Sequence, residues 1–251
     1  MKTRIWAVVV LAAAGCNAPR PPAPAAEKKA PPAYYRVDPA EAAAVKGSVH
    51  FSGKRPPAHR ISMDAEAECA ALHKTPVMED PVDTGKQGGL ANVFVYVKSG
   101  LEGKRFAPPQ SAVVLDQHGC QFVPRVIALQ AGQTLDVKNS DPVSHNIHPQ
   151  PKNNRDWNQQ QSAGSPDLQR HFARAEVMIP VKCNIHSWMR SYIGVVEHPF
   201  FAVTGRDGAF TLEGLPPGEY TIGAWHETLG EQTEKVVLGK AGTAEVKFQF
   251  K

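Results

Sequence analysis

Residues 244–250, Ala-Glu-Val-Lys-Phe-Gln-Phe, alternate apolar and polar side chains over their whole length. In an extended chain the apolar residues from Ala244 to Phe250 share one face, and the polar residues between them share the other. The same period of two recurs in VKGSVHF (45–51), NVFVYVK (92–98), TLDVKNS (134–140), GAFTLEGL (208–215) and EYTIGAW (219–225). This period is typical of strands with one buried face.

Turn residues separate these stretches. Asp207-Gly208 lies between two of them, and Pro216-Pro217-Gly218 follows the next, where proline fixes φ and we expect Gly218 to supply a positive φ. A helical pattern is limited to one short stretch within residues 63–73. The sequence therefore predicts an all-β fold, a sandwich or a barrel.

Composition excludes several classes of protein. The chain has 251 residues, of which 42% are apolar and 21% charged, so it is neither globally disordered nor a polytopic membrane protein. Its 22 prolines and 20 glycines suit short strands and turns. A formal net charge of +4 is too small to indicate a nucleic-acid partner.

A D-G-x-F-x-L-x-x-L-P-P-G-x-Y run lies in residues 198–251. Its residues are Asp207, Gly208, Phe210, Leu212, Leu215, Pro216, Pro217, Gly218 and Tyr220. The run resembles the hallmark of the carboxypeptidase regulatory-like (transthyretin-like) β-sandwich. The strands with which that family opens are matched about a hundred residues upstream, in KGSVHFSG and ANVFVYVKSG. We therefore expect one sandwich formed by residues 45–104 and 198–251, interrupted by an inserted unit of residues 105–197.

The expected insert contains VKCNIHSWMRSYIGVV (181–196), in which Cys183, His186 and Met189 follow one another at intervals of three. Thiolate, imidazole and thioether are soft or borderline ligands that suit copper and would be unusual for calcium, magnesium or manganese. A further imidazole, His145, comes shortly after the alternating stretch 134–140. It is the candidate for a ligand presented by a second loop.

The C-x-x-H-x-x-M spacing, the His145-Asn146 pair and the stretch FVPRVIALQAGQTLDVKNSD resemble the cupredoxins, the blue copper proteins, and most nearly the amicyanin type. The resemblance covers nearly all of residues 105–197. It implies a Greek-key β-sandwich with one type 1 copper. It also implies that His145, Cys183 and His186 are the three strong ligands and that Met189 is the weak axial ligand.

The resemblance further implies that Asn146 joins the two ligand loops by hydrogen bonds. Asn184, directly after the cysteine, departs from the Thr, Ser or Glu that the family often has there, so its own role beside the ligands is a hypothesis. The polar stretch 149–172 has no clear counterpart in the family. We expect it to form a loop over the site.

Three positions near the motif admit two interpretations each. His148 competes with His145 for the upstream ligand position, and the His-Asn match favours His145. Met189 either ligates the metal or only packs in the core, where methionine is a common gap filler. Trp188 is either an exposed contact for a redox partner or a lid on the site.

Residues 1–16, MKTRIWAVVVLAAAGC, have a basic start, an apolar run and small residues before Cys16. The apolar run is too short to span a membrane and predicts a secretion signal. The small residues before Cys16 resemble the lipobox of bacterial lipoproteins, which implies a lipid on Cys16 and an extracytoplasmic, membrane-anchored, periplasmic protein. Plain secretion is the alternative. Residues 17–44 form a Pro/Ala-rich linker.

The four cysteines then divide by role. Cys16 is the predicted lipid anchor, and Cys183 has to stay a thiolate if it binds copper. The remaining two, Cys69 and Cys120, are predicted to form a disulfide, which an oxidising compartment permits. Two free thiols or a second soft-metal site are the alternatives.

The copper-protein resemblance implies an electron carrier and not an enzyme. It implies a redox protein partner, such as a c-type cytochrome or a dehydrogenase. The extra His-x-His pairs of a multicopper oxidase and the second loop cysteine of a binuclear copper site are both missing from the sequence. Two other functions stay open: copper storage, delivery or sensing without electron transfer, and a cell-envelope binding module based on the transthyretin-like sandwich.

Overall fold

The computed structural model describes residues 33–251. The predicted signal peptide, Cys16 and most of the predicted linker lie outside the described residues. Within residues 33–251, no helix is long and apolar enough to cross a membrane.

The described chain consists of strands joined by turns, with one short helix, α1 (Ala67–Ala71), inside the stretch for which the sequence predicts one. The strands are β1 (Ala43–Phe51), β2 (His59–Arg60), β3 (Met78–Glu79), β4 (Phe94–Ser99), β5 (Val113–Gln117), β6 (Phe122–Val123), β7 (Val126–Gln130), β8 (Leu135–Asn139), β9 (His145–Pro149), β10 (Gln159–Gln161), β11 (Leu168–Arg170), β12 (Glu176–Lys182), β13 (Arg190–Val196), β14 (Phe201–Val203), β15 (Ala209–Leu215), β16 (Gly218–His226), β17 (Gly230–Leu238) and β18 (Thr243–Phe250). The all-β prediction is confirmed.

Two sheets are built from strands near both ends of the described chain. One has the order β15-β1-β18, and the other has the order β14-β4-β16-β17. The alternation of β18 puts Val246, Phe248 and Phe250 in the core, as the sequence predicts. Val45 and Val49 of β1 are fully buried in the same core. Alternate side chains of these strands are therefore buried, and their packing holds the two sheets together.

Two further sheets are formed by the strands between Val113 and Val196. Their orders are β10-β9-β12-β13-β7 and β11-β8-β5-β6. β7 runs parallel to β13, and β5 runs parallel to β8. A second hydrophobic core fills the space between them and includes Leu115, Leu135, Ile147, Ile179 and Ile193, all fully buried. The candidate ligand residues lie at one end of this core.

The segment that carries α1 packs against the second core and not against the core that holds Val45 and Val49 of β1. Met63 and Cys69 fall in the range 45–104, yet both are buried in the second core, with the strands of residues 113–196. The division of the chain into two domains stays a prediction. Met63 and Cys69 belong by sequence to the predicted first domain but pack in the core of the predicted second domain. Hydrophobic burial near the candidate site is the physical reason for their position.

A third, smaller cluster fills the space between β4 on one side and β7 and β13 on the other. Phe94 and Tyr96 of β4 pack there with Val126 and Val196. Gly194 of β13 allows the close approach, because a Cβ at that position would lie 2.8 Å from Cζ of Phe94. The two pairs of sheets are therefore in direct apolar contact.

The two predicted turns differ in outcome. The turn predicted at Asp207-Gly208 lies between β14 and β15, and Gly208 has a φ of 70° there. Gly218 is the first residue of β16 and does not have a positive φ, so that expectation is wrong. The connection is held instead by Tyr220, whose hydroxyl donates a 2.6 Å hydrogen bond to the carbonyl oxygen of Pro216.

Candidate metal centre

Three predicted ligand residues meet in the interior. His145, Cys183 and His186 are 0%, 3% and 3% exposed, and one donor atom of each lies within 4.8 Å of the other two. The two Nδ1 atoms of His145 and His186 are 2.9 Å apart, and Sγ of Cys183 is 3.9 Å from Nδ1 of His186. Two imidazoles and one thiol therefore present their donor atoms to the same small volume.

Sheet pairing brings these residues together across a long stretch of sequence. His145 is the first residue of β9, and Cys183 directly follows β12. β12 pairs with β9 on one side and β13 on the other, so that Lys182 faces both His148 and Arg190. The start of β9 and the β12–β13 loop, which carries His186, consequently lie at the same end of the sheet.

Cys183 is a free, buried cysteine whose environment favours the thiolate. Burial alone would raise the pKa of the Cys183 thiol, but hydrogen bonds from the His145 side chain and from backbone N–H groups lower it below its usual value. Two of these donors are the N–H groups of Asn146 and His186, each 3.4 Å from Sγ. The thiolate is the form that binds metals.

The two histidines differ in their affinity for a proton. Burial and the nearby positive charge of His145 lower the pKa of His186. Burial also acts to lower the pKa of His145, but hydrogen bonds to Cys183 and Asp141 outweigh it, so that the pKa of His145 is raised. His186 is thus neutral over most of the physiological range, which leaves a ring nitrogen free to act as a ligand.

Asp141 supports His145, although no motif in the sequence singles it out. Its side chain is 2% exposed, and Oδ2 lies 2.7 Å from Nε2 of His145. The same carboxylate accepts hydrogen bonds from the backbone N–H groups of Gly119 and Cys120, at 2.6 and 2.7 Å. A carboxylate at Nε2 keeps the proton on that nitrogen and leaves Nδ1 as the donor atom. The only sequence signal is an aspartate four residues before the histidine.

A second group of candidate ligand atoms exists within residues 33–251, formed by Cys120, Asp141 and His145. It shares His145 with the first group. The sulfur of Cys120 is bonded to Cys69, so it cannot be a thiolate ligand. The predicted disulfide between Cys69 and Cys120 is confirmed, and the alternatives of two free thiols or a second soft-metal site are wrong for the oxidised chain.

Asn146 joins the start of β9 to the β12–β13 loop by hydrogen bonds. Its Oδ1 accepts a hydrogen bond from the backbone N–H of Asn184, and its side-chain amide donates to Oδ1 of Asn158. The side chain of Asn184 points to His148, with Oδ1 3.4 Å from Nδ1. His148 also contacts Asp156 and lies outside the group of three ligand atoms.

Met189 is 1% exposed and packs in the second core. Its backbone closes the ligand loop, because its N–H donates to the carbonyl of His186 and its carbonyl accepts from the N–H of Cys183, at 3.0 and 3.2 Å. The backbone of Met189 is therefore fixed against both Cys183 and His186. Its role as an axial ligand stays a prediction.

The disulfide lies directly against the candidate site. Sγ of Cys69 is 3.6 Å from Nε2 of His186. Trp188 adds to the cover, since its ring centroid is 5.2 Å from that of His186 and its indole N–H donates to the carbonyl of Cys120, at 2.9 Å. The segment that carries Cys69 and the half-buried Trp188 together act as a lid on His186. No motif or spacing in the sequence predicts that the disulfide lies against His186.

The polar stretch 149–172 forms two short strands as well as loops. β10 pairs with β9, and Gln161 faces His145 in that pairing. β11 pairs with β8. The stretch therefore extends both sheets beside the candidate site, and the expectation of a single loop over the site is wrong.

No family model matches the sequence, and a comparison with curated proteins finds no match. Solved structures do show similarity. A Cu-containing nitrite reductase from Thermus scotoductus is 18% identical, with a TM-score of 0.32, over 39% of this chain and 24% of that one. The chain thus matches about a quarter of the length of that protein.

Two further structures are matched over nearly their whole length. A reduced amicyanin variant is 16% identical, with a TM-score of 0.31, over 40% of this chain and 97% of its own. A purple cupredoxin from Nitrosopumilus maritimus is 17% identical, with a TM-score of 0.29, over 34% of this chain and 99% of its own. All three TM-scores are below 0.5, so the function proposed below depends on the residues of this chain.

Proposed function

We propose that this chain is a membrane-tethered, extracytoplasmic blue (type 1) copper protein that carries single electrons between redox partners. The observation that supports it most is the meeting of His145, Cys183 and His186, whose donor atoms lie within 4.8 Å of one another in the interior. Two imidazoles and one thiolate, with a thioether as a weak fourth ligand, are the ligand set of such sites.

The residues present fit a copper ion by the chemistry of their donor atoms. Copper supplies a one-electron couple when it is bound by such a set. His145 is oriented by Asp141, and the thiolate of Cys183 is stabilised by backbone N–H groups. Burial of all three groups excludes water from their donor atoms.

Electron transfer is favoured over copper delivery by the same burial. Delivery requires a ligand of the receiving protein to reach the ion and displace its ligands one at a time. His145, Cys183 and His186 are at most 3% exposed, and the disulfide covers His186. An electron can leave a closed site, whereas an ion cannot leave without the site opening.

The test is the visible spectrum of the chain loaded with Cu(II), produced with Cys16→Ser so that it stays in solution. We expect an intense thiolate-to-copper charge-transfer band that disappears on reduction and returns on reoxidation. Cys183→Ser should abolish the band. His148→Gln is the matched control, because His148 lies outside the group of ligand atoms, and it should keep the band. A band that persists in Cys183→Ser would overturn the proposal.

A membrane anchor and a redox partner complete the proposed function. We propose that Cys16 carries the lipid, that the folded part lies in the periplasm, and that a c-type cytochrome or a dehydrogenase exchanges electrons with it. Mass spectrometry of the protein from membranes should find acylated Cys16, and Cys16→Ser should move the protein to the soluble fraction. An unmodified Cys16 on membrane-bound protein would contradict the anchor.

A further inference from the structure

The lid on His186 has a consequence for electron exchange. Sγ of Cys69 lies 3.6 Å from the outer nitrogen of the His186 ring, and the ring is 3% exposed. A partner that docks on this side meets the disulfide segment and Trp188 before it reaches the ligand. Because electron tunnelling weakens steeply with distance, another approach to the site is favoured.

Such an approach exists on the side of Cys183. An open groove of about 770 Å³ lies at the end of β12 and β13, and its lining includes Lys182, Cys183, Asn184, Ser187 and Arg190. We call it the thiol-side groove. Of the four proposed ligands, Cys183 alone lines it. The groove therefore brings a partner against the residue that supplies the proposed thiolate.

The thiol-side groove is positively charged. Lys182 and Arg190 are direct cross-strand partners, and its lining contains no carboxylate. Within residues 33–251, neither of the two forms an ion pair. Asp156 does not pair with Lys182; its carboxylate contacts His148, the other cross-strand neighbour of Lys182. Like charges directly opposite each other destabilise a sheet, so an anionic partner would relieve a cost that the free protein carries.

We propose that the thiol-side groove is the electron-exchange surface of this protein and that it docks a redox protein with an acidic surface. The inference rests on the proposed copper function. With copper bound, one electron would pass between the partner and the site through Cys183, so that one of them is oxidised as the other is reduced, and no bond forms or breaks. Attraction between the two cations and the carboxylates of the partner raises the rate of productive encounter.

The first test uses small redox ions in place of the partner. Lys182→Glu with Arg190→Glu should slow oxidation of the reduced copper protein by hexacyanoferrate(III) at least ~10-fold at low ionic strength, the lower end of electrostatic steering effects. It should speed oxidation by a cationic cobalt(III) phenanthroline complex. Both differences should vanish in about 1 M salt, where charges are screened within about 3 Å. A rate change that is independent of salt would overturn the proposal.

A matched control makes the same change of net charge elsewhere. Lys235→Glu with Lys247→Glu places the new charges on exposed positions of β17 and β18. We expect it to change the rates with both ions less than twofold. Equal effects of the two double variants would show that net charge, and not the groove, is responsible.

The second test needs no copper. Hexacyanochromate(III) is a paramagnetic, redox-inert anion, and it should broaden the NMR signals of backbone amides lining the groove in the metal-free protein. Lys182→Glu with Arg190→Glu should remove that broadening. Broadening centred elsewhere would refute the groove as a docking site. If the groove binds the anion but the protein shows no charge-transfer band with Cu(II), the proposed copper function fails and the anion site stands.

Discussion

Removal of the disulfide is expected to destabilise the protein by a large and calculable amount. The bridge joins Cys69 and Cys120, which are 51 residues apart in sequence. In the chain-entropy model, a closed loop of this length lowers the entropy of the unfolded chain by an amount worth about 4 kcal/mol at 25 °C. Replacing both residues by alanine, Cys69→Ala with Cys120→Ala, opens the loop without burying new polar atoms.

The assay is equilibrium unfolding in urea of the metal-free protein, since bound metal would add its own contribution to stability. Wild type and the double variant are compared at the same pH, and the wild type is measured again after reduction with a dithiol. We expect both perturbed forms to lose about 4 kcal/mol, which corresponds to a melting temperature lower by roughly 8–16 °C for a chain of this size.

A loss below about 1 kcal/mol would refute the reasoning, because it would mean that the bridge does not restrict the unfolded chain. Hydrogen exchange gives an independent readout on the folded side. Amides of β13 that exchange only through global unfolding should lose protection equal to the fall in the free energy of unfolding. A larger loss of protection at residues 61–73 would show that the bridge also holds the lid on His186 in the folded state. Unchanged protection of β13 would contradict a global loss of stability.

Three further predictions concern other contacts. Asp141→Asn should weaken the affinity for Cu(I) about 10–100-fold, because an amide orients His145 less firmly than a carboxylate does. Asp156→Asn is the control and should leave the affinity unchanged. Competition with a chelator measures the affinities of both variants, and equal values would exclude a role for Asp141. Arg125→Ala should cost about 2 kcal/mol in urea unfolding, since it leaves the 9%-exposed side chain of Glu227 without its partner, and Glu227→Gln in that variant should recover part of the loss. Burial lowers the pKa of His198 to about 4. As the pH falls below 6.5, His198 therefore becomes protonated in the unfolded chain while it stays neutral in the folded chain. The contribution of His198 to the free energy of unfolding is therefore full above pH 6.5 and declines by about 3 kcal/mol as the pH falls towards 4. His198→Gln should remove this contribution to the pH dependence. An unchanged pH dependence would contradict the assignment.

The sequence predicted the parts of the structure that depend on local pattern. Alternation predicted the strands, and the spacing of Cys183 and His186 predicted a ligand loop after a strand. The upstream histidine was chosen over His148 from its asparagine neighbour, and the structure brings His145 into the group. These features depend on a few residues that are close in sequence.

Features that depend on long-range packing could not be predicted. Asp141 reaches His145 only because the turn between β8 and β9 folds back towards Gly119 and Cys120. The contact of Cys69 with His186 joins residues 117 apart in sequence. Neither contact has a periodic pattern or a fixed spacing that a single sequence could show.

The parallel pairing of β1 with β18 has a consequence for the order of folding. Its register runs from Ala44 opposite Thr243 to Phe51 opposite Phe250, so the first long strand needs the last one. The strands between Val113 and Val196 pair mostly with one another and can form as soon as they have been synthesised. Contacts between distant parts of a chain form slowly. We therefore expect the strands between Val113 and Val196 to pair first and the sheet of β1 to close last, which leaves β1 unpaired until β15 and β18 have been synthesised.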